Sequence, residues 1–222
     1  MALLSDLRYV LLYNYAMKLK YKVILLDVDG VLIIPPKLFS EQYCEKYGVD
    51  KELQQQFYTT KEFQDSSLGK FDLKDAVRMH NDKWQWEGDV NELLGMWFEG
   101  ENYPNEPLLD IVKQLRANGA KVYLATQQEK YRKAYLEDTF KNKIDGIFCS
   151  CDIAFSKHED RFWGAVLDGL EIDPAEIAYF DDRQSIVDLA REQGIDAFLY
   201  ESAEQVQNDV RQMHKNGPRP YV

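Results

Sequence analysis

The sequence predicts an α/β fold: a doubly wound parallel sheet with a helical segment inserted after its first strand. Two observations carry this. Beyond Lys121, short apolar runs alternate with helical patterns, the order that builds a parallel sheet with helices on both faces. Between residue 37 and about residue 103 that alternation stops, and aromatic-rich helical segments replace it.

The first strand lies in YKVILLDVDGVLII, residues 21–34. Val23–Leu26 is continuously apolar instead of alternating, the pattern of a strand covered on both faces. Aspartate suits strands poorly, so Asp27 marks the end of this one. Gly30 then permits a sharp turn or the close approach of a ligand. Two carboxylates, Asp27 and Asp29, therefore stand one residue apart at a strand terminus. Taken alone, the pair fits a solvated turn better than it fits chemistry, since most such strings are only turns.

In the insert, Phe39, Tyr43, Phe57, Trp84, Trp97 and Phe98 read chiefly as its own packing, with some facing the cleft beside the sheet. The core resumes with a helix whose Leu108, Ile111, Val112 and Leu115 share one face. Pro107 stands near its start and Gly119 closes it. KVYLAT (121–126) is the next strand, followed by a helical pattern over 128–140. Then come DGIFCS (145–150), a helix over 159–170, EIAYFDD (176–182), a helix over 184–192 closed by Gly194, and DAFLY (196–200). The domains read as an N-terminal extension at 1–20, a core of 21–36 and 104–222, and a helical cap at 37–103. The first stretch is interrupted by Asp6 and Arg8, too broken for a membrane span and a poor secretory signal. Met17 would itself open the first strand naturally.

Composition narrows the partners. A formal net charge of −11 over 222 residues argues against nucleic acid and against an anionic membrane, which both want a basic face. A small anionic substrate needs only local positive charge. Three cysteines, Cys44, Cys149 and Cys151, lack metal-ligand spacing and read as reduced thiols of a cytoplasmic protein. No glycine-rich G-K-[ST] loop occurs, which excludes P-loop chemistry.

The sites converge once the sheet is in place, because ligands of such sheets sit at the carboxyl ends of the strands. Asp27 and Asp29 end the first strand, Thr126 ends the second, and Asp181 and Asp182 end the fourth. FSKHED puts Lys157 in the loop after the third, just before a helix.

In this order DVDGVL, Thr126 in LATQQ, Lys157 and FDDRQSIVDLA resemble the four motifs of the haloacid dehalogenase-like hydrolase superfamily. The likeness runs from about residue 22 to residue 200 and is to the branch with a helical cap after the first strand. LGKFDLKDA, within the insert, resembles the cap turn of sugar-phosphatase-like members. The resemblance implies a Rossmann-like core and a Mg²⁺-dependent phosphatase of small phosphomonoesters, such as sugar phosphates, working through an aspartyl-phosphate. It casts Asp27 as nucleophile and Asp29 as acid and base. The Asp27 side chain, the Asp29 backbone carbonyl and the Asp182 side chain would hold Mg²⁺, with Asp181 just outside them. Thr126, Gln127, Lys157 and the backbone N–H groups at the following helix start would meet the phosphate.

Three positions depart from the motifs. His158 stands where proline usually follows the lysine, Gln127 where asparagine is common, and Ile186 where a polar residue is expected, with Ser185 or Asp188 as stand-ins. Two other readings are a phosphomutase with the same motifs and a catalytically inactive phospho-ligand or protein-binding module. A dehalogenase is disfavoured because Asp29 is kept. A phosphonate-cleaving relative would need a cap lysine, for which Lys70 is the nearest candidate. His80 and His214 show no partner in the sequence. Neither the substrate nor the oligomeric state is legible.

Overall fold

The computed structural model describes residues 19–211. Its centre is a parallel sheet of β1 (Val23–Leu26), β2 (Lys121–Thr126), β3 (Gly146–Cys149), β4 (Ile177–Asp181) and β5 (Asp196–Leu199), in the order β3-β2-β1-β4-β5. β1 is the middle strand, and the chain winds outward from it in both directions. That makes its carboxyl end the topological switch point where a ligand crevice opens.

Continuous apolar strands follow from burial on both faces. Ile24 and Leu26 join Val122, Leu124, Ala178 and Phe180 on one side, while Val23 and Leu25 join Ala125, Ile177 and Tyr179 on the other. The first face is covered by α7 (Glu106–Ala117), through the four apolar residues read from the sequence, and by Val206 of α12 (Ala203–Asp209). The second is covered by Phe162, Trp163 and Val166 of α10 (Asp160–Leu170) and by Ile186, Val187 and Ala190 of α11 (Gln184–Glu192). Ile186, where the motif calls for a polar residue, is thus a core residue: the apolar stripe of α11 requires it.

Residues 39–100 form the insert: α1 (Phe39–Tyr47), α2 (Lys51–Gln55), a 3₁₀ turn, α3 (Lys61–Ser67), α4 (Leu73–Met79), α5 (Asn81–Trp84) and α6 (Val90–Gly100). Most of these helices are too short to hold alone in water. They are held by a shared aromatic core around Trp84, which meets Phe57 at 5.1 Å and Tyr43 at 5.3 Å, both edge-on. Each such pair adds about 0.5–1.5 kcal/mol beyond area burial. The Tyr43 hydroxyl also donates to the Trp84 carbonyl at 2.7 Å.

Element boundaries differ from the sequence reading where side chains intervene. The helix expected over 128–140 is α8 (Lys130–Thr139), because Glu129 caps it with its own carboxylate. A short helix, α9 (Ser150–Ile153), follows β3 directly, so Lys157 lies beyond it. Leu19 and Lys20, assigned to the extension, touch the core: the Lys20 N–H donates to the Val210 carbonyl and its ammonium pairs with Asp196 at 2.8 Å. The remaining extension, including Met17, and His214 lie outside the described residues. Among those residues no helix is long and apolar enough to cross a membrane.

Candidate active site

β1 delivers Asp27 to the crevice, and the Asp27 N–H still bonds the Phe180 carbonyl at 2.9 Å as an extension of the sheet. The chain then turns: the Val28 carbonyl accepts from the N–H groups of Val31, Leu32 and Ile33. Gly30, at φ +83°, makes that turn possible, and a Cβ there would meet the Asp182 carboxylate at 2.3 Å. The glycine therefore lets the β1 turn and the end of β4 close on one point.

Lys157 lies at that point with only 4% of its surface exposed. Its ammonium is 2.7 Å from Asp27 Oδ1 and 2.7 Å from Asp181 Oδ2. Asp181, fully buried, also accepts from the Tyr179 hydroxyl and from the Arg183 N–H at 2.8 Å. Asp182 is exposed, and carboxylate oxygens of Asp27, Asp181 and Asp182 lie within 4.8 Å of one another. One lysine faces three carboxylates.

The charge imbalance bears on Asp27, Asp182 and Lys157. Burial pushes the Asp27 carboxyl up to about 7; Lys157 opposes this and Asp181 reinforces it. Burial, then Asp181, also raises Asp182. Burial works against the Lys157 ammonium, yet Asp27 and Asp181 hold it above the ordinary lysine value. An all-oxygen carboxylate cluster with surplus negative charge fits a hard divalent cation such as Mg²⁺.

A stability consequence follows. The folded Asp27 carboxyl is raised, so its neutral form is favoured by folding. Its contribution is full below the unfolded value near pH 4 and is lost as pH rises through about 7. The melting temperature in EDTA is expected to fall between about pH 4 and pH 7 and to level off above, with Mg²⁺ restoring most at the upper end. A flat or rising profile in EDTA would contradict this electrostatic account.

Asp29 has a different environment. Its side chain is 55% exposed and faces a cleft of about 190 Å³ between the insert and the sheet. Gln128 Nε2 donates to its Oδ2 at 2.6 Å. Thr126, buried at the end of β2, lies 3.4 Å from the same amide. Gln127 lines the cleft, and its Oε1 accepts from the Ser156 hydroxyl at 2.7 Å and the Lys157 N–H at 3.2 Å, holding the lysine loop. The N–H donors expected at the helix start are occupied: Glu129 accepts from Tyr131 and Arg132.

Other named residues stand apart. Lys70 is exposed and does not line the cleft; His158 is exposed, with burial, then Arg183 and Lys157, lowering its pKa. Asp188 bonds Gln184 and Arg191 on its own helix and is absent from the carboxylate cluster. Glu101, Gln128, Glu129 and Arg132, which no sequence motif marks, line the cleft with Trp97 and Phe98. The signal for three of them was position: they follow β2 at the ligand edge of the sheet.

The insert meets this edge at several points. Ser150 Oγ donates to the Ser67 carbonyl at 2.6 Å, and Asp72 accepts from Lys130 at 2.7 Å and the Tyr131 hydroxyl at 2.8 Å. A Cβ on Gly69 would lie 2.1 Å from the Cys151 carbonyl. LGKFDLKDA is therefore pressed onto the core beside β3.

A family model described as haloacid dehalogenase-like hydrolase matches residues 21–194. No curated protein sequence matches the chain. Among solved structures, a HAD family enzyme of Bacteroides thetaiotaomicron, in complex with magnesium and inorganic phosphate, superposes with a TM-score of 0.70 at 18% identity. That match covers 82% of this chain and 94% of the other. The L-2-haloacid dehalogenase of Xanthobacter autotrophicus, with chloropropionic acid covalently bound, gives a TM-score of 0.57 at 13% identity, covering 80% and 76%.

Proposed function

Because the chain belongs to the haloacid dehalogenase-like hydrolases, we propose that it is a Mg²⁺-dependent phosphatase that cleaves a small phosphomonoester through a phosphorylated Asp27. The observation that carries this reading is the single buried Lys157 shared by Asp27 and Asp181, with Asp182 alongside. Phosphoryl transfer needs a fixed nucleophile and positive charge around the phosphate oxygens; Lys157 fixes Asp27 and supplies part of that charge, and a cation held by the surplus carboxylates would supply the rest.

Asp27, held by Lys157 on one oxygen, attacks phosphorus and becomes the aspartyl-phosphate while the bond to the leaving oxygen breaks. Asp29, on the cleft side, gives that oxygen a proton and later takes one from the water that cleaves the phosphorus–Asp27 bond. The two carboxylates suit these roles because one is buried on a lysine and the other faces the cleft. Thr126 and Lys157 meet the phosphate oxygens, and Gln127 keeps the Lys157 loop in place. Asp27, Asp182 and the Asp29 carbonyl would hold Mg²⁺, with Asp181 beside them; when bound, the ion supplies charge neutralisation at the phosphate. The three cysteines are free, as suits the cytoplasm.

The test is a panel of small phosphate esters with Mg²⁺, read by phosphate release and by isomerised product. Release is expected, with loss in EDTA and recovery on adding Mg²⁺. Calcium should inhibit, since its looser coordination misplaces the nucleophile. Isomerisation without free phosphate would make the protein a mutase. Silence across the panel, or full turnover in EDTA, would overturn the reading.

A further inference from the structure

Arg132 is the one guanidinium among the residues lining the cleft, and its side chain is only 5% exposed. It leaves the first turn of α8 and runs under the insert. Its Nη1 donates to the Phe98 carbonyl at 3.1 Å, and its plane rests against Phe98 and Tyr135, 5.5 and 5.6 Å from the ring centres. Its Nη2 is buried and has no hydrogen-bond partner. Buried donors are almost always satisfied, so this one calls for an acceptor.

The neighbouring carboxylates do not provide it. Glu101 accepts from the Phe39 N–H at 2.9 Å and from Trp97 Nε1 at 3.1 Å. Glu129 accepts from the backbone of α8. Asp29 Oδ1 stands 3.7 Å from Nη2, beyond hydrogen-bond reach, and its Oδ2 is taken by Gln128.

We propose that Arg132 is the specificity-determining residue of this cleft: its Nη2 donates to an oxygen on the non-phosphate part of the substrate, and that part is a neutral sugar or polyol. This rests on the phosphatase reading. The charge balance decides between a neutral and an anionic group. Asp29, Glu101 and Glu129 line the cleft against Arg132 alone, so a second phosphate or a carboxylate would meet surplus negative charge. Hydroxyl groups can both donate and accept, which suits the carboxylates, the Gln127 and Gln128 amides and the guanidinium together. Phe63 and Trp97, stacked 6.5 Å apart, give the wall an apolar surface for the carbon skeleton.

The test compares kcat and KM for the best sugar phosphate with those for phenyl phosphate, which lacks any oxygen beyond the ester. In Arg132→Met, kcat/KM for the sugar phosphate should fall by about 30-fold or more, mainly through KM, and by at least about tenfold more than that for phenyl phosphate, which shares only the effect on the neighbouring Asp29. Arg132→Lys should recover part of the loss. A second measurement needs no variant: the wild type is assayed on single-deoxy analogues of that sugar phosphate. At least one should lose about 10²-fold in kcat/KM, because a site built around a hydroxyl rejects its absence. Equal losses for both substrates, indifference to every deoxy analogue, or a preference for sugar bisphosphates or phosphorylated sugar acids would each overturn the proposal. If the wild type releases phosphate without such discrimination, the Arg132 proposal alone fails. If it releases none from any ester, the phosphatase reading fails first and this proposal with it.

Discussion

If Asp27 is the nucleophile, as proposed, Asp27→Asn is expected to reduce phosphate release by at least about 10⁴-fold, because no other group can take the phosphoryl group in its place. The variant keeps the shape of the side chain, and its fold should survive. Lys157 retains Asp181 at 2.7 Å, so the buried ammonium is not orphaned. Without metal the variant should be at least as stable as the wild type above about pH 7, since burial penalises the ionised Asp27 that it removes. Acid-quenched protein, analysed by mass spectrometry after mixing with substrate, should carry phosphate in the wild type and none in Asp27→Asn. A phosphorylated variant would remove Asp27 as nucleophile. A collapse in melting temperature would mean that Asp27 holds the fold together instead of burdening it.

The parts of this site legible in the sequence are those that a strand fixes by ending. Val23–Leu26 reads as a strand covered on both faces, and those faces are covered by α7 and α12 on one side and α10 and α11 on the other. A parallel sheet then puts Asp27, Thr126 and Asp181 on one edge whatever the loops do. Loops were harder. The helix starts two residues later than its pattern suggests, because Glu129 is as ordinary a helix residue as it is a cap, and only its bonds to Tyr131 and Arg132 distinguish the two. Ile186 departs from the motif, yet its neighbours Val187 and Ala190 place it on an apolar helix face. The cleft was least legible of all. Its wall combines Phe63, Trp97 and Glu101 of the insert region with Gln128 and Arg132 of the core, and no local pattern reports a pairing across such separations.

The environment of Asp29 leads to the second large effect, which depends on the leaving group. A sugar alkoxide leaves badly without a proton, whereas p-nitrophenolate needs little help. General acid assistance is typically worth about 10²–10⁴-fold. Asp29→Asn should therefore slow phosphorylation of Asp27 by that factor with alkyl phosphates and only mildly with p-nitrophenyl phosphate. Dephosphorylation still needs a base for the water, whatever left in the first step. With the aryl ester the variant should release a burst of nitrophenol equal to the enzyme present, then stall with Asp27 phosphorylated. Asp29 is half-exposed and accepts from Gln128 at 2.6 Å, but its other oxygen stands 3.7 Å from the buried Arg132 guanidinium, so the substitution should lower the melting temperature modestly without unfolding the protein. Rapid mixing followed by mass spectrometry reads both halves in one experiment. Equal losses of phosphorylation rate for the two esters would show that Asp29 is not the acid. A burst followed by turnover at the wild-type rate would show that the attacking water finds its base elsewhere.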